Sequence, residues 1–351
     1  MRTISPLEKL PDLRSFISAS PIFLQWYLAY RQPVLKPITE LLKAAYHGDA
    51  SFNPDAIRGV QLRLQAHRFP YLDPDEIEGR VYRVAVSKSL TEKEWSGSLP
   101  FLCELFEQRQ DADTLISEYA AYAWDNILGE ARLRSQRDPS FTWLPEFDQP
   151  LVLAPSEIIR FEEGFLAYDY HRHDIYHDMG ILDGYLRPGI SDLESLSEIR
   201  WCLPQFQSVF YFVYVKYREL MHRVDWEIRG RGALNGSLSR ERDTRVCQFL
   251  GRTKYQEHRC VVFLSIQGYT LLRNLRRMDQ AHVRHFIMNT FLWVMLRDAK
   301  GYLPPEERFL RDIQRHELLI ESPLEPMYEP WTRARYFWGG ARVAKIYGNQ
   351  R

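Results

Sequence analysis

Three of the ten histidines, His171, His173 and His177, fall within seven residues of one another, in a stretch that also carries Glu162, Asp169 and Asp174. Imidazole and carboxylate together form the ligand set of zinc and of non-haem iron, so this stretch holds the residue types that could do chemistry. On an ideal helix, at about 100° per residue and with Glu162 as zero, Asp169 falls near 340°, His173 near 20° and His177 near 60°. These four make one polar stripe. Histidines at i and i+4 point the same way and can share a divalent ion, while carboxylates one and three turns earlier complete the shell or orient the imidazoles. Ile158, Phe161, Phe165, Tyr168 and Ile175 fall at roughly 220–320° on the same wheel, beside the stripe and not beneath it. The stripe is therefore expected to look into a cleft at the edge of a core. A solvated helix flank would carry the same residue types.

Asp174 lies about 100° from His173 but about 60° from His177, so it can join His177 only if the helix end bends. Glu194 and Glu198, on the next predicted helix, are the nearest acidic candidates beyond it. Ser191-Asp-Leu-Glu194 reads as a capping box, which gives Glu194 a rival role and leaves Glu198 preferred. A metal held by such groups with one open position activates water or oxygen; zinc suits hydrolysis and iron suits oxidation. Tyr168, Tyr170 and Tyr176 would stand near the pocket, with Tyr170 and Tyr176 as candidate catalytic groups. A dinuclear site would draw further carboxylates from a neighbouring helix, with Glu118, Asp125 and Glu198 as candidates.

The elements that must position these residues read as about ten helices with no secure strand, an all-α chain. Ser20-Pro21 opens an aromatic helix, a second starts at Pro37, and Asn53-Pro54 opens a third. His47 and His67 sit near predicted C-terminal ends, where a histidine satisfies carbonyls. Residues 79–87 alternate enough for a strand but lack a partner, and are read as helix or irregular. Helices at Leu99–Gln108 and from Asp113 to about Ser135 complete an N-terminal subdomain, 1–135. A Pro-rich connection follows over 136–155. A helical core, 156–323, carries the stripe, a helix interrupted at Pro204 and running to about Gly230, and further helices near 243–251, 254–277, 280–299 and 304–320. The last section, 324–351, is an aromatic and Arg-rich tail expected to pack on the body. The loop 230–243 gathers Arg229, Arg231, Arg240 and Arg242, an anion site in form but without a phosphate-loop pattern. His282 and His285 form a second helical pair with no carboxylate stripe.

Composition narrows the function. Lys+Arg and Asp+Glu balance at 46 each, which gives no field toward nucleic acid or an anionic membrane. Arginine greatly outnumbers lysine, which suits fixed ion pairs. The 20 Tyr, 19 Phe and 9 Trp supply core, and can also line a cavity for a hydrophobic or aromatic small molecule. Cys103, Cys202, Cys247 and Cys260 form no CxxC pair and read as reduced, buried residues. With no leader-like start and no apolar run of 18 residues, no transmembrane segment is expected, and the expected place is the cytoplasm.

His173-Asp174-Ile175-Tyr176-His177 resembles the HDxxH motif of the coenzyme Q (ubiquinone) biosynthesis family, whose members are all-helical and carry a metal. The resemblance implies His173, Asp174 and His177 as ligands and a prenylated aromatic or other hydrophobic substrate. In that family a glutamate twelve residues after the last histidine completes the ligand set. Here Gly189 stands at that position, and the matching motif covers five residues.

The function expected from these features is a helical metal-binding protein, an oxidative or hydrolytic enzyme with iron or zinc acting on a hydrophobic or aromatic small molecule. The alternative is a non-catalytic α-helical interaction protein with a partner-binding groove. Haem binding through one helical histidine is a third reading.

Overall fold

Ser20-Pro21 does what its types dictate: Ser20 takes an extended conformation and Pro21 the first helical position, where its missing N–H costs nothing. Ser20 alone separates α1 (Leu10–Ala19) from α2 (Pro21–Ala45). In this computed structural model the described residues are 10–46, 53–68, 90–138, 141–176, 204–234, 244–299, 333–340 and 342. Among them are eleven α-helices and no strand, so the fold is all-α. The chain divides into two compact units, Met1–Ser117 with Ala154–Asp178, and Glu118–Leu153 with Met179–Arg351.

In the first unit α2 passes through Pro33 and Pro37 where two separate helices were expected. Pro33 can donate no hydrogen bond to the carbonyl four residues back, and the helix yields at Tyr30 (φ −114°, ψ 19°) without ending. After this kink, Leu35, Ile38 and Leu42 recur at helical spacing and are buried. Helix α3 (Pro54–Arg68) starts where Asn53 accepts the backbone N–H of Asp55 at 2.9 Å. The short α4 (Glu92–Trp95) is closed by a capping box between Thr91 and Glu94 and buries Trp95. Helix α5 (Leu99–Arg137) is one uninterrupted element of 39 residues, where two helices were expected. Its first half, to Ser117, belongs to this unit. Helix α6 (Pro155–Tyr176) bears the polar stripe, and Glu157 in its first turn accepts the Ala154 N–H at 2.9 Å.

The second unit takes the remainder of α5. Helices α7 (Pro204–Leu234), α8 (Thr244–Leu250), α9 (Lys254–Gln267), α10 (Tyr269–Arg277) and α11 (Gln280–Ala299) follow. Helix α9 is buried from His258 to Ile266. One helix was expected over 254–277, but Gly268 (φ 97°) breaks it, a backbone state that favours glycine. The Tyr217 hydroxyl donates to the Gly268 carbonyl at 2.8 Å and fixes the break. Phe212 stacks on Tyr119 at 4.6 Å; Phe337 meets Tyr119 edge-on, and Trp338 meets Trp124. Burial pushes the Cys103 thiol up to about 11 and the Cys260 thiol up to about 12, consistent with inert core residues. Cys247 differs from the expectation, because it is exposed. Residues 79–87, the segment 304–320 and Cys202 lie outside the described residues.

Candidate functional site

The described part of the α6 stripe is turned inward, and arginines occupy it. Asp169 is 1 % exposed and accepts from five donors. Arg63 of α3 grips it with both prongs, Nε to Oδ2 at 2.9 Å and Nη2 to Oδ1 at 2.8 Å. Arg172, one turn further along α6, donates Nε and Nη2 to Oδ1 at 2.9 and 2.8 Å. Gln108 of α5 donates to Oδ2 at 2.8 Å, and its Oε1 accepts from the Tyr46 hydroxyl at 3.0 Å. Arg63 also donates to Asp111 Oδ2 from Nη1 and Nη2 at 3.3 and 3.2 Å. Two turns before Asp169, Glu162 pairs with Arg109, which reaches Asp113 as well.

Arg63, Arg109 and Arg172 stand against Asp111, Glu162 and Asp169, three positive and three negative groups, all buried. Burial opposes the charge on Arg63, but Asp169 and Asp111 outweigh it and hold its pKa above the ordinary arginine value. The same contest at Arg109, burial against Asp113 and Glu162, also ends with the pKa raised. The Tyr46 and Tyr168 phenols are pushed up, first of all by burial. The Tyr46 hydroxyl donates to the Leu105 carbonyl at 2.8 Å and to Gln108 Oε1 at 3.0 Å.

Close helix approach makes the network possible. Gly59 of α3 faces it: a Cβ there would stand 2.8 Å from Gln108 Nε2 and 3.3 Å from Asp169 Oδ2. A side chain at this position would displace the Gln108 amide from the Asp169 carboxylate.

Glu162 and Asp169 were expected as metal ligands beside a cleft, and their carboxylates here face guanidinium groups in the interior. A carboxylate already accepting five hydrogen bonds has no lone pair left for an ion. Tyr170, a candidate catalytic group, is fully buried with Arg58 5.9 Å from its ring. His173, Asp174 and Tyr176 lie on the helix, but their side chains are outside the described set, as are residues His177, Glu194 and Glu198. Among the described residues no three His, Cys, Asp or Glu side chains are grouped so as to hold a metal ion. Of the neighbouring-helix candidates, Glu118 pairs with Arg276 at 2.5 Å and Asp125 is exposed. His282 meets Asp279, and His285 Nε2 lies 2.8 Å from the Asn289 amide. Sequence reasoning missed Arg63, Arg109, Gln108 and Asp111, although the excess of arginine over lysine pointed to fixed ion pairs of this kind.

The second candidate is a surface. From Ser15 to Tyr30 the chain has sixteen residues and no charge, bounded by Arg14 and Arg31. Here α1 and the first half of α2 form a hairpin with Phe16 and Phe23 in ring contact at 3.8 Å. Between Pro21 and Pro33 only Tyr27 is buried. Ile22 is 73 % exposed, Leu28 60 % and Tyr30 54 %, with Trp26, Leu24 and Phe23 exposed beside them. With Ile22 as zero, the exposed apolar positions fall near 40° (Trp26), 100° (Phe23), 200° (Leu24), 240° (Leu28) and 340° (Ala29), interrupted near 300° by the exposed amide of Gln25. Tyr27, near 140° on that wheel, marks the side facing the body.

No protein-family model, curated protein or solved structure matches the chain. Among the described residues no helix is long and apolar enough to cross a membrane.

Asp169→Asn keeps the shape but leaves two buried guanidinium groups without their shared anion, and is expected to cost about 3–5 kcal/mol. Asp113→Asn, at a carboxylate largely in water, is expected to cost at most about 1 kcal/mol. Denaturant unfolding of both variants checks this, and equal costs would contradict it.

Proposed function

We propose that this chain is an α-helical interaction protein that attaches through the α1–α2 hairpin. One observation supports the reading: the uncharged first part of α2, Pro21 to Tyr30, stands exposed on the first unit with Ile22, Phe23, Leu24, Trp26 and Leu28 uncovered and Gln25 as its one amide. Contiguous apolar surface beyond a few hundred Å² on a soluble chain marks a place of attachment. The remainder of the unit supplies the rigid support, since α2 is anchored below its kink by Leu35, Ile38 and Leu42. The purified protein is expected to enhance anilinonaphthalene-sulfonate fluorescence several-fold, because the dye reports uncovered apolar surface. An Ile22→Asp/Leu28→Asp variant, with unchanged far-ultraviolet circular dichroism, is expected to lose most of that enhancement. A variant that bound the dye like the wild type would contradict the reading.

A different observation favours a second reading, metal binding at the end of α6. The helix is gripped from α3 and α5 at Glu162 and Asp169 and then continues as helix through His173 and Asp174 to Tyr176. Its rotation and axial position are thereby fixed one turn before the histidines, the support a ligand-bearing helix needs. In this reading His173, Asp174 and His177 bind iron or zinc, and Glu198 or Glu194 completes the set. Glu162 and Asp169 hold the helix through their arginines, and the substrate is a hydrophobic or aromatic small molecule. Plasma mass spectrometry of protein purified without chelators is expected to find about one iron or zinc per chain, lost in His173→Ala/His177→Ala. Metal-free protein that also failed reconstitution would end this second reading and leave the first untouched.

A further inference from the structure

We propose that the occupant of the α1–α2 hairpin is the interfacial layer of a phospholipid bilayer, an inference that rests on the attachment reading. The distribution of the apolar side chains argues for lipid over a protein face. A flat partner face covers only one side of a helix. The exposed positions from Leu24 at about 200° round to Phe23 at about 100° extend well beyond half. Acyl chains and headgroups conform to a convex helix and cover all of it.

Length argues for insertion without crossing. From Pro21 to the kink at Tyr30 the helix is about 13 Å long at ~1.5 Å per residue, far short of the roughly 30 Å hydrocarbon core. A helix this short can lie in the plane of the interface, where apolar side chains reach about 5–10 Å below the headgroups. Residue types agree with that depth. Trp26 and Tyr30 carry an apolar ring and a polar tip, the combination favoured at the boundary of headgroup and chain, and Phe16, Phe23, Ile22 and Leu28 supply apolar insertion. The polar flank that an isolated interfacial helix needs is here the body of the first unit on the Tyr27 side. Arg14 and Arg31, both exposed, bound the uncharged stretch and fall at the level of headgroup phosphates. Because the chain has no net charge, attachment is driven by apolar burial and does not depend on anionic lipid.

The test is flotation of the full chain with phosphatidylcholine vesicles, at low and at high salt. The wild type is expected to rise with the vesicles at both. Ile22→Asp/Leu28→Asp is expected to partition at least tenfold more weakly, since an aspartate carboxylate resists insertion. Trp226→Asp, at an exposed aromatic of the second unit, is expected to float like the wild type. Wild-type protein left unbound at millimolar lipid, or a double-aspartate variant that floats equally, would overturn the proposal. Light scattering separates the failures. A wild-type dimer that the double-aspartate variant converts to monomer, without flotation, would overturn lipid as the occupant while leaving attachment through the hairpin standing.

Discussion

Asp169 sets the constraint on which the first unit depends. Its carboxylate, 1 % exposed, takes hydrogen bonds from α3, α5 and its own helix at once. Taking these charges out of water is costly, and the cost is recovered only in one arrangement, with both prongs of Arg63 and the Gln108 amide in place. An apolar core tolerates a helix sliding by part of a turn. A two-pronged guanidinium contact does not, so the network fixes register more than it adds stability. Gly59 shows how tightly that register is drawn, because one methyl group there would collide with Gln108.

This lock redistributes the roles of the sequence's most suggestive residues. Glu162 and Asp169 share a helix face with the histidines, and they serve as anchors and not as open ligands. Arg109 and Arg63 hold α6 at Glu162 and at Asp169, one turn before His173. The same rigid unit carries a hairpin that gains little from it. Before its kink α2 buries only Tyr27, so that segment draws little stability from packing on the unit.

Much of the helical architecture could be read from local signals: Ser20-Pro21, Asn53-Pro54 and the start of α9 all fall where their residue types place them. The errors share a cause. One helix was expected to end at Gln108 and the next to start at Asp113, yet α5 runs through, because Gln108, Arg109 and Asp111 are buried in ion pairs and hydrogen bonds with distant helices. Arg63 and Asp169 stand 106 positions apart, so no local pattern could pair them. Pro33 and Pro37 signalled helix ends, but a helix can bend at Tyr30 at lower cost than stopping. The apolar hairpin was legible as composition, and its exposure was not, since exposure belongs to the packed unit and not to the stretch.

Backbone hydrogen exchange of the free protein tests most directly whether a locked platform carries an uncovered hairpin. The account predicts that amides over 158–172 are among the slowest of the first unit, while those over 15–30 exchange orders of magnitude faster, because local opening there exposes little additional apolar surface. Equal protection of the two stretches in the free chain would mean that the hairpin is already covered, and would contradict the account.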